Sequence, residues 1–262
     1  MKFTERDILL FNSNFDSLSF TEKAYLMAKL SGLAYLPFEK TNMDLKVLND
    51  RLKEIKIDLV NIFNNNGTQA YLAKREDNYF LVFRGTELDD YRDLIADLDS
   101  RFYETIDGKR HRGFYRAFNY VKDAVLENIP EYFPTIFNRI YIVGHSLGGA
   151  IAKVAADEIY AKTRHTITTY TFGSPKHNDG TTELYGCRFV NAGDPIPAYP
   201  FNSEYKHTGD LCFLKGRKII SDVPFLDRLF YFLRNVFMKR KLFNRHSIES
   251  YCKHLERIVY DR

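Results

Sequence analysis

Ser146 stands in Gly144-His145-Ser146-Leu147-Gly148-Gly149-Ala150, behind the apolar run Ile140-Tyr141-Ile142-Val143 and ahead of a helical stretch reaching Ala161. Strand, Gly-x-Ser-x-Gly turn and helix form the pattern of a nucleophile elbow, in which a serine hydroxyl is held at the tip of a strained turn. Side chains at 144 and 148 would block the approach of strand and helix, which gives the two glycines a steric reason. Five-residue patterns recur by chance, so a glycine-rich turn with an unreactive serine is the competing interpretation. The correct flanks on both sides favour chemistry.

A serine hydroxyl is a poor nucleophile until a base within hydrogen-bond reach takes its proton, and the base needs an acid to hold its tautomer. Asp194 and His246 follow the serine in the order Ser, acid, His, which is one of the chain orders known for this constellation. Asp194 lies in Asn191-Ala192-Gly193-Asp194-Pro195-Ile196-Pro197, just past an apparent strand and fixed by Pro195. Seven histidines compete for the base. His145 lies inside the elbow and is expected to point away from Ser146, into packing or hydrogen bonding at the turn. His111, His165, His177 and His254 precede the serine or lack a strand-end partner. His207 follows Asp194 but opens an expected strand, which leaves His246, at the start of a helix, as the better base.

These residues need elements to hold them. Helical spacing runs over residues 19–36, with Ser19 or Thr21 as cap and Pro37 as stop, and again over 45–57. Strands are expected at 59–63 and 69–74 around the turn Asn64-Asn65-Asn66-Gly67, then at 79–84. Residues 113–129 read as one helix ended by Pro130. Strands at 166–172, 187–191 and 207–214, the last as an edge, and a closing helix at 247–259 complete the chain. Helices alternate with strands, and Thr86, Ser146, Ser174 and Asp194 all fall just beyond strand ends, where open parallel sheets bind ligands. The expected architecture is an α/β fold with a mostly parallel central sheet and helices on both faces.

The chain has 262 residues, enough for a single domain with a sizeable core, and its 45% hydrophobic and 27% charged residues are globular values. No apolar run approaches a transmembrane length, and the first residues do not read as a secretory signal. Cys187, Cys212 and Cys252 are widely spaced, odd in number and without metal-ligand spacing, which suits reduced, buried thiols in the cytoplasm. Export without a classical signal stays open. The net charge of +4 is too small to suggest nucleic acid. It is concentrated, however: Arg228, Arg234, Lys239, Arg240, Lys241 and Arg245 face only Asp222 and Asp227 over residues 222–245.

At this point the chain resembles a known family. Phe83-Arg84-Gly85-Thr86, the elbow, Thr171-Phe172-Gly173-Ser174-Pro175, the Asp194 segment, and His246 with Tyr251 look like the ordered motif set of the class 3, fungal-lipase-like α/β-hydrolases. The resemblance runs from about Tyr79 to Tyr251. It implies Ser146 as nucleophile, Asp194 as acid, His246 as base, and an oxyanion hole from the amides of Thr86 and Leu147 with help from the Thr86 hydroxyl. It further implies a lid at about 87–99, where Leu88, Tyr91, Leu94, Ile95 and Leu98 make an apolar stripe. Ile95-Ala96-Asp97-Leu98 and His111-Arg112-Gly113-Phe114 look like the family's flanks of that lid. The expected activity is cleavage of lipid carboxylic esters, triacylglycerol or phospholipid, with no metal or organic cofactor.

Two departures stand out. The secreted fungal members carry signal peptides and disulfides, and the stretch 215–245 is longer than the usual connection between acid and histidine. On a helical wheel from 223 to 243, Phe230, Leu233 and Phe237 share one side with other apolar residues, while Arg234 and Lys241 lie on the other. That profile suits contact with an anionic lipid surface. A cap over the domain's own core is the competing interpretation of the same pattern. A catalytically silent membrane-binding module and a soluble small-ester esterase or thioesterase are the rival functions.

Overall fold

The computed structural model describes residues 1–37, 42–86, 101–105, 108–130, 139–180, 184–200, 204–224 and 242–261. The expected lid residues Leu88, Tyr91, Leu94 and Ile95, and the membrane-contact candidates Phe230, Leu233, Arg234, Phe237 and Lys241, lie outside the described residues.

Among the described residues ten strands form, in chain order: β1 (Asp58–Asn65), β2 (Thr68–Arg75), β3 (Asn78–Phe83), β4 (Phe102–Thr105), β5 (Gly108–His111), β6 (Arg139–His145), β7 (Ile167–Phe172), β8 (Gly186–Asn191), β9 (Asp210–Lys215) and β10 (Lys218–Ile220). Eight of them make one sheet in the order β1, β2, β3, β6, β7, β8, β9, β10, and β4 with β5 forms a separate hairpin. The five central strands β3, β6, β7, β8 and β9 run parallel, and the outer pairings are antiparallel.

Burial on both faces explains why these strands read as continuous apolar runs rather than alternating ones. In β3, Phe80 and Val82 enter one core while Leu81 and Phe83 enter the other, and β6 divides Tyr141 and Val143 from Ile140 and Ile142 in the same way. The first core is covered by α2 (Phe20–Leu33), α3 (Asn42–Lys53) and α7 (Ile248–Tyr260). The second is covered by α4 (Arg112–Asn119), α5 (Lys122–Asn128) and α6 (Leu147–Thr163).

The two ends of the chain are tied together. Helix α1 (Glu5–Phe11) and α2 both begin in capping boxes, Thr4 with Asp7 and Ser19 with Glu22. Buried Asp7 accepts from Tyr25 of α2 at 2.9 Å and from Tyr260 of α7 at 3.1 Å, and it pairs with Lys29 at 3.0 Å. Helix α7, which begins just after His246, is thereby fastened to the chain's first helices.

Several expectations need correction. The single helix expected at 113–129 is two, broken at Tyr120-Val121, where Val121 leaves helical geometry and turns its side chain into the core. Helix α3 stops at Lys53, although Ile55 and Ile57 are buried, because Lys56 adopts φ 57° and turns the chain into β1. The β4–β5 hairpin and α1 had no counterpart in the sequence reading. Strand β9 begins at Asp210 rather than His207 and is not the edge, since β10 pairs along it. No helix among the described residues is long and apolar enough to cross a membrane.

Candidate active site

Ser146 sits between the last residue of β6 and the first of α6 with φ 58° and ψ −130°. A non-glycine residue held at positive φ in a buried turn carries strain that its surroundings must impose. Here the constraint is close packing: a Cβ on Gly144 would collide with the Gly148 carbonyl, and one on Gly148 with the backbone at Phe83 and Arg84. The Ser146 amide is further pinned to the Phe172 carbonyl at 2.9 Å.

The chain brings Ser146, Asp194 and His246 together. His246 Nε2 lies 2.8 Å from Ser146 Oγ, and His246 Nδ1 lies 3.1 and 3.0 Å from the two oxygens of Asp194. Ser146 and His246 are fully buried. With Nδ1 donating to the carboxylate, Nε2 is left to accept from the serine hydroxyl.

Asp194 is surrounded by donors. The Ile196 amide donates to Oδ1 at 2.9 Å, closing the turn that Pro195 sets, and the Tyr251 hydroxyl donates to Oδ2 at 2.6 Å. Tyr251 also accepts from the Asn191 amide at 3.1 Å, so one buried phenol bridges the end of β8 to α7. Burial and the neighbouring carboxylate push the Tyr251 hydroxyl well above its ordinary pKa, which keeps it a donor. The Asn191 side chain holds the other side, donating to the Arg245 carbonyl at 2.9 Å.

Gly173 contributes what the sequence reading missed. Its φ is +60°, and a Cβ there would fall 2.8 Å from Asp194 Oδ2 and 2.9 Å from His246 Nδ1. The acid–histidine contact can form only because this position has no side chain. The Gly-Ser-Pro after β7 is the local signal that marked it. Ser174, grouped with the site by its strand-end position, spends its hydroxyl on the Pro175 carbonyl at 3.0 Å.

The other histidines are occupied elsewhere. His207 Nε2 donates to the Pro197 carbonyl at 2.7 Å, His165 Nε2 to the Pro130 carbonyl at 2.8 Å, and His254 joins Asn191 and the Gly216 carbonyl. His111 stacks on Phe114 with ring centroids 4.0 Å apart, and His177 reaches Thr208. His145 is engaged by hydrogen bonds at the turn, to Tyr35 and to the backbone of His246.

Thr86 and Leu147 border one cleft of about 460 Å³, beside Gly85, Gly113, Ala117 and Ile151. Leu147 is the first residue of α6, where amides lack intrahelical partners and point outward. Arg84 and Arg116 also line this cleft, and no carboxylate does among the described residues.

A mostly parallel sheet with a serine elbow after a central strand, and an acid and a histidine presented from later loops, is the α/β-hydrolase arrangement. The family model for lipase (class 3) matches residues 80–204 of the chain. Secreted mono- and diacylglycerol lipase A of Penicillium camembertii is 28% identical over 150 residues, covering 52% of this chain and 48% of that protein. The lipase of Rhizomucor miehei is 29% identical over 164 residues, covering 57% and 44%. The chain thus spans about half the length of the curated relatives it matches. The solved structure of lipase II from Rhizopus niveus shares the fold, with a TM-score of 0.64 at 21% identity over 78% of this chain and 86% of that one.

Proposed function

We propose that the chain is a serine hydrolase that cleaves carboxylic ester bonds of lipids through an acyl-enzyme on Ser146. The observation that carries this reading is the continuous hydrogen-bonded line from Ser146 through His246 to Asp194 at 2.8 and 3.0 Å. Ser146 Oγ attacks the ester carbonyl as His246 Nε2 takes its proton. Amides of Leu147 and Thr86 hold the oxyanion, and His246 returns the proton to the departing alcohol as the C–O bond breaks. Water then repeats the cycle and releases the acid. The partial matches to lipases support lipid esters as the substrate class. A fluorophosphonate probe is expected to label the wild type and not Ser146→Ala; no labelling, or equal labelling of both, would overturn the enzyme and leave a silent binding module. A rate that shows no rise above the substrate's micellar threshold would favour the soluble esterase.

Among lipid esters, a cleft lined by Arg84 and Arg116, with no acid among the described residues, favours a substrate bearing an anionic group, a phospholipid over triacylglycerol. Short-chain phosphatidylglycerol and the matching diacylglycerol, both monomeric, test this. Arg116→Glu is expected to lower hydrolysis of the anionic substrate by roughly tenfold and to leave the neutral one unchanged. Equal effects on both would remove the preference.

Contact with an anionic lipid surface through residues 223–243 is a companion proposal resting on sequence pattern alone; unchanged liposome binding after deletion of 222–242 would remove it. Residence in a reducing compartment is supported by three free, buried cysteines. Alkylation of fewer than three thiols in protein trapped directly from cells and then unfolded would count against it.

A further inference from the structure

His145 is buried to 2% exposure beside the base, and every polar atom of its ring has a partner. Its Nε2 lies 2.5 Å from the backbone carbonyl oxygen of His246, and its Nδ1 lies 2.7 Å from the Tyr35 hydroxyl. A carbonyl oxygen can only accept, so Nε2 must carry the proton. Nδ1 of a neutral ring is then a lone pair, and the Tyr35 hydroxyl must donate to it. The two contacts leave one tautomer and one direction for the whole line, from Tyr35 to His145 to the main chain of His246.

We infer that Tyr35 is a positioning residue for the hydrolytic site, acting through the His145 ring to hold the His246 backbone where Nε2 reaches Ser146. The role rests on the reading of His246 as the base. Tyr35 comes from an element remote from the triad. It follows the C-cap of α2, with its amide on the Gly32 carbonyl, and lies before the stretch that matches the lipase family model. Its hydroxyl packs against Gly85, where a Cβ would strike both that hydroxyl and the His145 carbonyl and would approach Ser146 Cβ to 3.1 Å. One phenol therefore touches the end of the expected oxyanion strand and the ring that anchors the base. The Arg84 guanidinium lies 5.6 Å over the Tyr35 ring and helps fix it.

The line also bears on charge. The His145 and His246 rings are 4.7 Å apart, close enough for a proton on the first to oppose the imidazolium that the second becomes during catalysis. Burial, and then the neighbouring His246, hold His145 well below the ordinary histidine pKa. The groups facing it among the described residues are Tyr35, His246 and Tyr251, with Arg84 behind Tyr35. None is an acid that would favour a charged ring. The Tyr35 donor covers the one ring site where a second proton could add, and protonation there would require that hydroxyl to turn and accept instead.

Tyr35→Phe removes the donor and keeps the ring. The expected result is a fall in kcat of roughly tenfold with KM within about twofold, counted per site titrated by fluorophosphonate, since the buried Nδ1 acceptor of His145 is left uncovered and the ring no longer has one fixed tautomer. Below its apparent pKa, log kcat/KM should steepen from a slope of one toward two as His145 begins to take a proton. In a His145→Gln background, where the side-chain amide donates to the carbonyl without a tautomer to choose, Tyr35→Phe should add little. An unchanged kcat and slope, or an equal loss in both backgrounds, overturns the role. Nitrogen-15 shifts of His145 give a readout independent of activity: a wild-type ring protonated at Nδ1 sinks the inference even if the enzyme turns over. Failure of Ser146 to react with the probe would instead sink the proposed function.

Discussion

His246 and His177 are buried almost equally, at 0% and 2% exposure, yet their surroundings differ in kind. His246 has Asp194 on one nitrogen and Ser146 on the other, and Asp194 is itself bonded by Ile196 and Tyr251. His177 has a single long contact to Thr208 at 3.3 Å, and its Nδ1 has no hydrogen-bond partner among the described residues. Beside it lies Lys153 of α6, 4% exposed, whose Nζ is equally without one. Burial, and then the positive charges of Lys153 and its neighbours, push His177 well below the ordinary range, and burial brings Lys153 down to about 8. Equal burial thus has opposite results. Around Ser146 every polar atom of the triad is bonded, which preorganises it; around Lys153 buried bases crowd one another, which destabilises the fold.

The largest effect that would break this contrast is Asp194→Asn. An amide at 194 can present a donor to His246 Nδ1, which favours the tautomer that cannot accept from Ser146. Turnover of 4-nitrophenyl butyrate is expected to fall by about 10⁴-fold. A loss below tenfold would make the bonds around Asp194 merely structural, and the two regions would no longer differ in purpose.

Lys153 sharpens the other half. Its folded pKa of about 8 lies below the value of about 10.4 for a free lysine, so the unfolded chain binds more protons between those limits and stability rises with pH there. The whole rise is about 3 kcal/mol. Urea unfolding of Lys153→Met should start from a higher stability at pH 7 and lack that rise. Identical curves for the two proteins would show that Lys153 is hydrated or paired after all.

His207 titrates on the acid side. Burial, followed by the charge of Arg188, lowers it to about 3, so the unfolded state holds the extra proton between there and about 6.5. Stability is full above pH 6.5 and falls as pH drops below it, by roughly 2 kcal/mol at pH 5. His207→Gln should flatten that limb of a melting-temperature profile. An undiminished slope would assign the acid sensitivity to other groups.

How much of this was legible in sequence follows from which signals are local. The elbow, the strand ends and the turn at Asp194 are written within a few residues each, and the order of Ser146, Asp194 and His246 along the chain did the rest. Tyr35 carries no such mark, because its role depends on where α2 ends against β6, a partner 110 positions away. The apolar pattern of 113–129 continues through Tyr120-Val121 because Val121 is buried in the break as it would be in a helix, so periodicity alone could not find the gap. Strand β10 is three residues with mixed burial, too short to announce itself, and it is what moved the sheet edge away from β9.

The smallest expected effect falls inside the well-bonded region. Tyr251→Phe deletes the 2.6 Å donor to Asp194 and leaves the Asn191 amide without its acceptor. Asp194 keeps the Ile196 amide and His246, so its carboxylate stays oriented, and kcat should fall only about threefold to tenfold, at most about 1.4 kcal/mol in the barrier. Stability should fall by about 1–3 kcal/mol, because the buried amide loses its partner. The two measurements separate the roles of one hydroxyl: a kcat loss near that of Asp194→Asn would mean the phenol sets the charge of the acid, whereas a stability loss with unchanged kcat would mean that it only fastens α7 to the end of β8. A redundant set of donors predicts the intermediate result, and redundancy is what the Lys153 region lacks.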